Sequence, residues 1–161
     1  YALRKSAIEA GDDAFEAAIA LNPNFAPAYL GLGSVVMWSG EFKRGIEVVD
    51  MAIRLSPHDP LMWTFLTVKG MALFGLGRNA EAEESMRQAT RQATLPWTPY
   101  CLHAAVLGFM GKEAEARRAL SAALKVKPDL SIGHMREIMP YRHPEHLEMI
   151  LDGARKAGLT D

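Results

Sequence analysis

The chain has 161 residues, 49% hydrophobic and 23% charged, which is the size and composition of one domain with a substantial core. Its net charge of −1 gives no electrostatic reason to expect nucleic acid or an anionic membrane as the partner. No apolar run approaches the roughly 20 residues that span a bilayer, and the single cysteine excludes an internal disulfide and favours a reducing, cytoplasmic location.

The chain opens inside a helical pattern. Arg4 to Leu21 is predicted to be the second helix of a helix pair whose first helix is missing. Its apolar landmarks and its proline recur 34 residues later in the same register; the earlier set is Phe15, Ala18, Leu21 and Pro23, and the later set is Val49, Ala52, Leu55 and Pro57. Because the pair is incomplete, we expect the chain to be a fragment of a longer protein.

The next unit, residues 26–59, is predicted to form two short helices joined by a turn at residues 39–41. Gly33 and Gly45 leave room for the two helices to approach closely, and large apolar residues fill the space around them. Pro57 ends the second helix, since it lacks an N–H group and restricts the residue before it. The landmarks of the unit are Tyr29, Leu32, Gly33, Val36, Gly45, Val49, Ala52 and Pro57.

Two further units follow, at about residues 60–94 and 97–128. The landmarks of the third unit lie 37 residues after those of the second, and the fourth unit returns to a spacing of 34. The three extra residues fall between positions 57 and 62, so we expect them to extend the start of the next helix. Asp59 is the predicted N-cap and Pro60 the first helical residue.

After Pro128 the repeat stops. A short helix is predicted within residues 129–138, and a final amphipathic helix is predicted over residues 144–157, with Gly158 just beyond its end. A stack of helix pairs needs a terminal segment to cover exposed apolar surface. Residues 129–161 are therefore the predicted C-terminal helical cap, and residues 1–128 form the array.

These landmarks resemble the tetratricopeptide repeat, whose pattern is a large residue, then Leu-Gly, then small and bulky residues on the second helix, then proline. The resemblance implies an all-α, right-handed superhelix, an α-α solenoid with C-terminal capping helices. Such solenoids bind protein or peptide segments on the concave face that the first helices line. The repeat register predicts the groove residues Leu30, Ser34, Met37, Trp38, Thr64, Thr67, Met71, Phe74, Thr98, Cys101, Ala105 and Phe109.

This predicted groove is apolar, contains methionine and aromatic residues, and is almost uncharged. It suits an apolar or amphipathic segment from a partner or from the parent protein's own domains. A groove that clamps a C-terminal carboxylate needs Lys, Arg and Asn, and Leu30, Ser34, Thr67 and Cys101 stand at those positions instead. The alternative is that packing within the repeats, or the chain's own C-terminal segment, buries these residues.

The sequence offers two weak chemical candidates, and neither predicts a catalytic, cofactor or metal site. His143 and His146 form a His-x-x-His pair beside His134, but the pair spans a proline-containing turn and no cysteine joins it. Cys101 and His103 are two residues apart, so on a helix they point in different directions. His103 is predicted to be a packed histidine, and the chain is not expected to be an enzyme.

Two runs resemble a more specific family. Residues 55–60, Leu-Ser-Pro-His-Asp-Pro, and the ending at residues 139–147 and 151–159 resemble the C-terminal repeat tail of bacterial class III adenylate/guanylate cyclases. Related winged-helix transcriptional activators carry a similar tail. The resemblance implies a regulatory module of a bacterial signalling protein, with the catalytic or DNA-binding domain upstream. The alternative is a structural spacer or a self-association domain that forms a homodimer.

Overall fold

The computed structural model describes residues 2–92 and 94–161, with side chains from Glu9 onward; Tyr1 and Ala93, which fall within the predicted array, lie outside the described residues. The described residues form nine α-helices and no strand. The helices are α1 (Ala2–Leu21), α2 (Ala26–Ser39), α3 (Phe42–Leu55), α4 (Met62–Gly75), α5 (Asn79–Ala89), α6 (Trp97–Phe109), α7 (Glu113–Val126), α8 (Ile132–Ile138) and α9 (Pro144–Ala157).

The helices from α2 to α7 form three consecutive pairs, and α1 packs against α2. The first helices α2, α4 and α6 carry almost no charged residue, because other helices cover them on more than one side. The second helices α3, α5 and α7 bury one apolar stripe and expose a charged face. This alternation of covered and half-exposed helices confirms the all-α solenoid that the sequence predicts.

Three glycines make the turns within the pairs. Gly40, Gly77 and Gly111 have φ values of 92°, 73° and 75°, in the left-handed region that favours glycine. At the first turn, Gly40 donates its N–H to the carbonyl of Met37, and Glu41 donates to the carbonyl of Val36. These bonds satisfy carbonyls at the end of α2 that have no partner within the helix.

The close approach within a pair depends on the small residues of the pattern. A Cβ atom on Gly33 would lie 2.4 Å from Cγ2 of Val49, and one on Gly70 would lie 2.7 Å from Sδ of Met86. Gly70 occupies in the third unit the position of Gly33 in the second. The sequence-based explanation of Gly33 as a spacer between helices is therefore confirmed by the packing.

The expected start of α4 is wrong by two residues. The helix begins at Met62, and Asp59 and Pro60 lie in the turn before it. Asp59 Oδ1 accepts the N–H of Leu61 at 2.8 Å, and Asp59 Oδ2 accepts the Ser56 hydroxyl at 3.0 Å. An aspartate that bonds the backbone two residues on favours a turn. The three extra residues therefore lengthen the connection, and α4 has 14 residues, as α2 does.

The segment of residues 129–161 (the C-terminal segment) turns back across the array. Ser131 caps α8 by accepting the N–H of His134 at 3.1 Å. Helix α9 begins and ends at the predicted residues, and Gly158 follows with a φ of 107°. Its buried face includes the four predicted residues Leu147, Ile150, Leu151 and Ala154. This face lies mainly against α6, and its contact with α7 is much smaller.

Candidate partner-binding groove

The groove is the face that α2, α4 and α6 present to the C-terminal segment. The repeat register predicted twelve residues for it, and the structure buries six of them: Met37, Thr67, Met71, Phe74, Cys101 and Ala105. Trp38, Thr98 and Phe109 are half-buried at the same face. Most of this face is therefore in contact with the protein's own chain.

A cavity of about 190 Å³ remains in the groove. Five of the twelve predicted residues line it, and so do Val68 of α4 and Leu102 of α6. The far wall comes from the C-terminal segment. The lining residues are Met37, Trp38, Thr67, Val68, Met71, Thr98, Leu102, Ile138, Met139, Pro140 and Tyr141. The lining contains no charged side chain, and its exposed margin includes Ile138, which is 45% exposed.

Two hydrogen bonds join the C-terminal segment to the end of α2 inside the groove. The Arg142 backbone N–H donates to the carbonyl of Trp38 at 2.9 Å. The Tyr141 hydroxyl lies 3.3 Å from Sδ of Met37, where thioether sulfur is a weak acceptor. The Tyr141 ring is buried, and burial raises the pKa of its phenol above the ordinary value. Tyr141 therefore binds as a neutral aromatic anchor.

Four predicted groove residues lie beneath the C-terminal helices, away from the cavity. Cys101 Sγ is 3.5 Å from Sδ of Met135 in α8, and Ala105 lies under Gly153 of α9. Phe74 packs edge-on against Phe109 with ring centroids 5.1 Å apart. The Lys156 ammonium lies 5.4 Å from the Phe109 ring centroid, so α9 covers this aromatic pair.

Three predicted residues, Leu30, Ser34 and Thr64, lie in α2 or α4 and do not line the cavity. Leu30 packs against the separate cluster of Val49, Ala52 and Phe65. The Ser34 hydroxyl donates to the carbonyl of Leu30, and the Thr64 hydroxyl donates to the carbonyl of Leu61. Their hydroxyls are therefore occupied by their own helix or its first turn.

His143 and His146 lie at the start of α9, against the turn at Gly40. The His146 ring packs against Phe42 at 4.7 Å and against His143 at 5.3 Å between centroids. Burial, and secondarily His143, lowers the pKa of His146 below its ordinary value. His134 is elsewhere, with its ring 5.6 Å from Trp97. Among the described residues, no group of three His, Cys, Asp or Glu side chains could hold a metal ion.

His103 is a packed histidine, as the sequence predicted. It is 9% exposed, its Nε2 atom lies 3.5 Å from Glu83 Oε1, and its Nδ1 atom lies 3.4 Å from the Thr90 hydroxyl. Burial lowers the pKa of His103, although Glu83 acts in the opposite direction. Burial also raises the pKa of the Cys101 thiol to about 12, so the reactive thiolate is suppressed there.

The sequence-based reasoning missed one side of the cavity. The repeat register applies only to the array, so it could not place Ile138, Met139, Pro140 and Tyr141. A usable signal was present, since these four apolar residues are consecutive: Ile138 ends one predicted helix, and the other three lie between it and the next. An apolar run in a connection must be buried or bound by something.

Two stretches, residues 1–60 and residues 64–93, match family models described as tetratricopeptide repeat. No curated protein sequence matches the chain. None of the helices that the structure describes is long and apolar enough to cross a membrane.

Solved structures have the same fold. The crystal structure of MamA superposes with a TM-score of 0.66 at 21% identity, covering 95% of this chain and 88% of that one. The crystal structure of YrrB, described as "a TPR protein with an unusual peptide-binding site", superposes with a TM-score of 0.61 at 19% identity, covering 94% and 77%. Together with the helix pairs, the two family matches, which span more than half of the sequence, identify the chain as a tetratricopeptide-repeat protein.

Proposed function

We propose that this chain is a protein-interaction module that receives an apolar segment of a partner protein in the groove. The observation that carries the proposal is the uncharged cavity of about 190 Å³ between the first helices and residues 138–141. Concave, mainly apolar sites with a few polar groups are the usual form of a binding pocket. The solved relative YrrB, whose description names a peptide-binding site, supports the same class of function.

The lining of the cavity indicates the chemistry of the partner. Met37 and Met71 supply flexible, polarisable side chains, which adapt to apolar groups of different shape. Thr67 and Thr98 are its weakly polar members, and burying a charged group there without a counter-ion would be unfavourable. The partner segment therefore inserts an aliphatic or aromatic side chain, and we expect no cofactor.

The test uses a charge at the rim of the cavity. Peptides are selected against the immobilised full chain from a random display library, and their affinities are measured for the wild type and for Ile138→Glu. Val126→Glu is the matched control, because Val126 is also an exposed aliphatic residue, 51% exposed at the end of α7. We expect Ile138→Glu to weaken binding at least tenfold, about 1.4 kcal/mol, and Val126→Glu to leave it unchanged.

Two results would contradict the proposal. One is that no peptide is selected. The other is that selected peptides bind Ile138→Glu as tightly as the wild type, which would place their site elsewhere. A charged residue at Phe74 is a poor test, because Phe74 is 1% exposed and the change would report on folding.

A second candidate function is structural. Its supporting observation is that the groove already holds residues 139–142, so the array could serve as a closed spacer or a self-association domain. A homodimer in sedimentation that persists in Ile138→Glu, together with no selected peptide, would favour this reading.

The resemblance of residues 55–60, 139–147 and 151–159 to the tails of nucleotide cyclases supports a proposal about the parent protein. On this proposal the module is the cytoplasmic regulatory region of a bacterial adenylate/guanylate cyclase, or of a related winged-helix activator. Sequencing the DNA upstream of the Tyr1 codon tests it. A cyclase or winged-helix domain there supports the proposal, and any other domain overturns it.

A further inference from the structure

The connection between α8 and α9 has the form of a bound peptide. Met139 has φ −81° and ψ 116°, and His143 has φ −102° and ψ 117°, so the residues at both ends of the connection are extended. Between them Tyr141 is buried in the groove, while Pro140 and Arg142 are half-buried. An extended segment with one buried aromatic anchor is a common form of peptide ligand.

The main-chain contact of this connection also resembles peptide recognition. Gly40 ends α2, and its turn satisfies the carbonyls of Met37 and Val36. The carbonyl of Trp38, among the last four of α2, has no partner within the helix and instead accepts the N–H of Arg142. The groove thus offers a fixed backbone acceptor that any extended segment with a free amide can use.

We propose that residues 139–142 are an internal ligand, and that the partner of this groove is an extended segment of the same chemistry. Such a segment carries, in order, an apolar residue, a proline, a tyrosine that takes the place of Tyr141, and a residue whose backbone N–H donates to the carbonyl of Trp38. The inference rests on the proposed function and names its partner class. Partner binding then requires residues 139–142 to leave the groove.

Release of the connection does not require α9 to undock. Helix α9 is held on α6 by a separate contact, where Gly153 meets Ala105 and Gly108 at the backbone. Helix α8 has only seven residues, and its contact with α9 is small. The connection is therefore a short tether between two helices that each have their own contact with α6, since Met135 of α8 packs against Cys101, and local opening of such segments is common.

The probe for the test is a fluorescein-labelled peptide with the sequence of residues 137–143. It is titrated into the full chain and into a full-chain variant with Met139→Ser and Tyr141→Ser, which removes the anchors but keeps α8 and α9. We expect the variant to bind the peptide at least tenfold more tightly than the wild type does. Replacing the tyrosine of the peptide with serine should abolish binding.

A blocking variant locates the site. Thr67→Trp, added to the double variant, fills the cavity and should abolish peptide binding. If the folded double variant does not bind the peptide, or if Thr67→Trp leaves binding unchanged, the proposal is overturned. The library selection separates this inference from the proposed function. If the inference is overturned but selected peptides bind the wild type and lose affinity for Ile138→Glu, only the inference fails. If no selected peptide binds, the proposed function fails as well.

Hydrogen exchange on the wild type gives a second measurement that does not depend on the variant folding. We expect the Arg142 amide to exchange at least tenfold faster than the amide of Leu151 in the buried face of α9. Equal rates would mean that residues 139–142 leave the groove only when the whole chain unfolds, which would overturn the proposal.

Discussion

One position of the repeat carries a different residue type in each unit. Leu32 holds it in the second unit, Lys69 in the third and His103 in the fourth. Each of the two polar residues is matched by an acid on the preceding second helix: Lys69 Nζ lies 2.6 Å from Asp50 Oδ1, and His103 Nε2 lies 3.5 Å from Glu83 Oε1. Such pairing offsets part of the penalty of removing a polar group from water.

We expect His103 to make the stability of the protein depend on pH. Burial lowers its pKa in the folded state from the ordinary 6.5, while Glu83 and Glu115 oppose this effect and Arg87 reinforces it. Below pH 6.5 the unfolded chain therefore takes up a proton that the folded chain resists, and stability falls as the pH falls. Between pH 7.5 and 5.5 we therefore expect His103 to lower the free energy of unfolding measured with urea.

His103→Leu, which introduces the residue found at the same position in the second unit, is the matched variant. Its unfolding free energy should fall less between pH 7.5 and 5.5 than that of the wild type. A residual decrease is expected, since the pKa of His146 is also lowered by burial. An unchanged pH dependence in His103→Leu would show that His103 is not the group responsible.

At the scale of the elements, two glycines allow a close backbone contact between α6 and α9. A Cβ atom on Gly153 would lie 2.1 Å from the carbonyl oxygen of Ala105, and one on Gly108 would lie 2.2 Å from the carbonyl oxygen of Gly153. Both clashes are with backbone, which cannot move aside as a side chain can. These two glycines therefore set the distance at which α9 docks.

Gly153→Ala should destabilise the protein by about 1–3 kcal/mol, because α9 has to shift away from α6. Alanine is intrinsically the better helix former by about 1 kcal/mol, so a net loss would mean that packing outweighs propensity. Urea unfolding measures the difference. The control is Gly133→Ala in α8, where an added Cβ meets only the Ser131 hydroxyl oxygen at 3.6 Å, and where stability should stay the same or rise slightly. If Gly153→Ala is more stable than the wild type, the proposed role of Gly153 in the close contact between α6 and α9 is contradicted.

The helices were more predictable than the contacts between them. Local signals such as Gly40, Pro144 and Gly158 fixed the ends of α2 and α9 because they act on neighbouring backbone. Asp59 and Pro60 also fit the start of a helix, but they lie in a turn, because the Asp59 carboxylate accepts the backbone N–H of Leu61 there. Gly108 and Gly153 gave no sequence signal, since neither is a landmark of the repeat and their partners lie far along the chain.

At the scale of the molecule, the repeat pattern described the array but could not place the C-terminal segment on it. The pattern encodes contacts between neighbouring helices, so it brought Met37, Thr67 and Met71 to one face. It had no information on whether that face is open. The buried positions of Tyr141 and Met139 supply the answer, because their hydrophobic burial draws the segment into the groove.

A chain that ends at Lys127 should be strongly destabilised. It lacks the buried face of α9 and leaves Cys101, Ala105 and Gly108 of α6 exposed. Each large apolar side chain that is buried contributes about 1.5–3 kcal/mol, so we expect a loss of at least about 3 kcal/mol and increased binding of the dye ANS. Adding a peptide of residues 129–161 should reverse both effects. Unchanged stability of the shortened chain would contradict a structural role for the segment.

The hydrogen bond between Tyr141 and Met37 joins residues 104 positions apart, and this separation has a consequence for synthesis of the protein. Contacts between neighbouring helices of the array form over short stretches of chain, whereas distant contacts form more slowly. Domains fold from the N-terminus as the ribosome releases them. During translation the helices of the array therefore leave the ribosome before residues 139–142 do, although the array becomes fully stable only when the C-terminal segment joins it. A partner present at the ribosome meets a groove without its internal occupant, and one that arrives later must compete with residues 139–142.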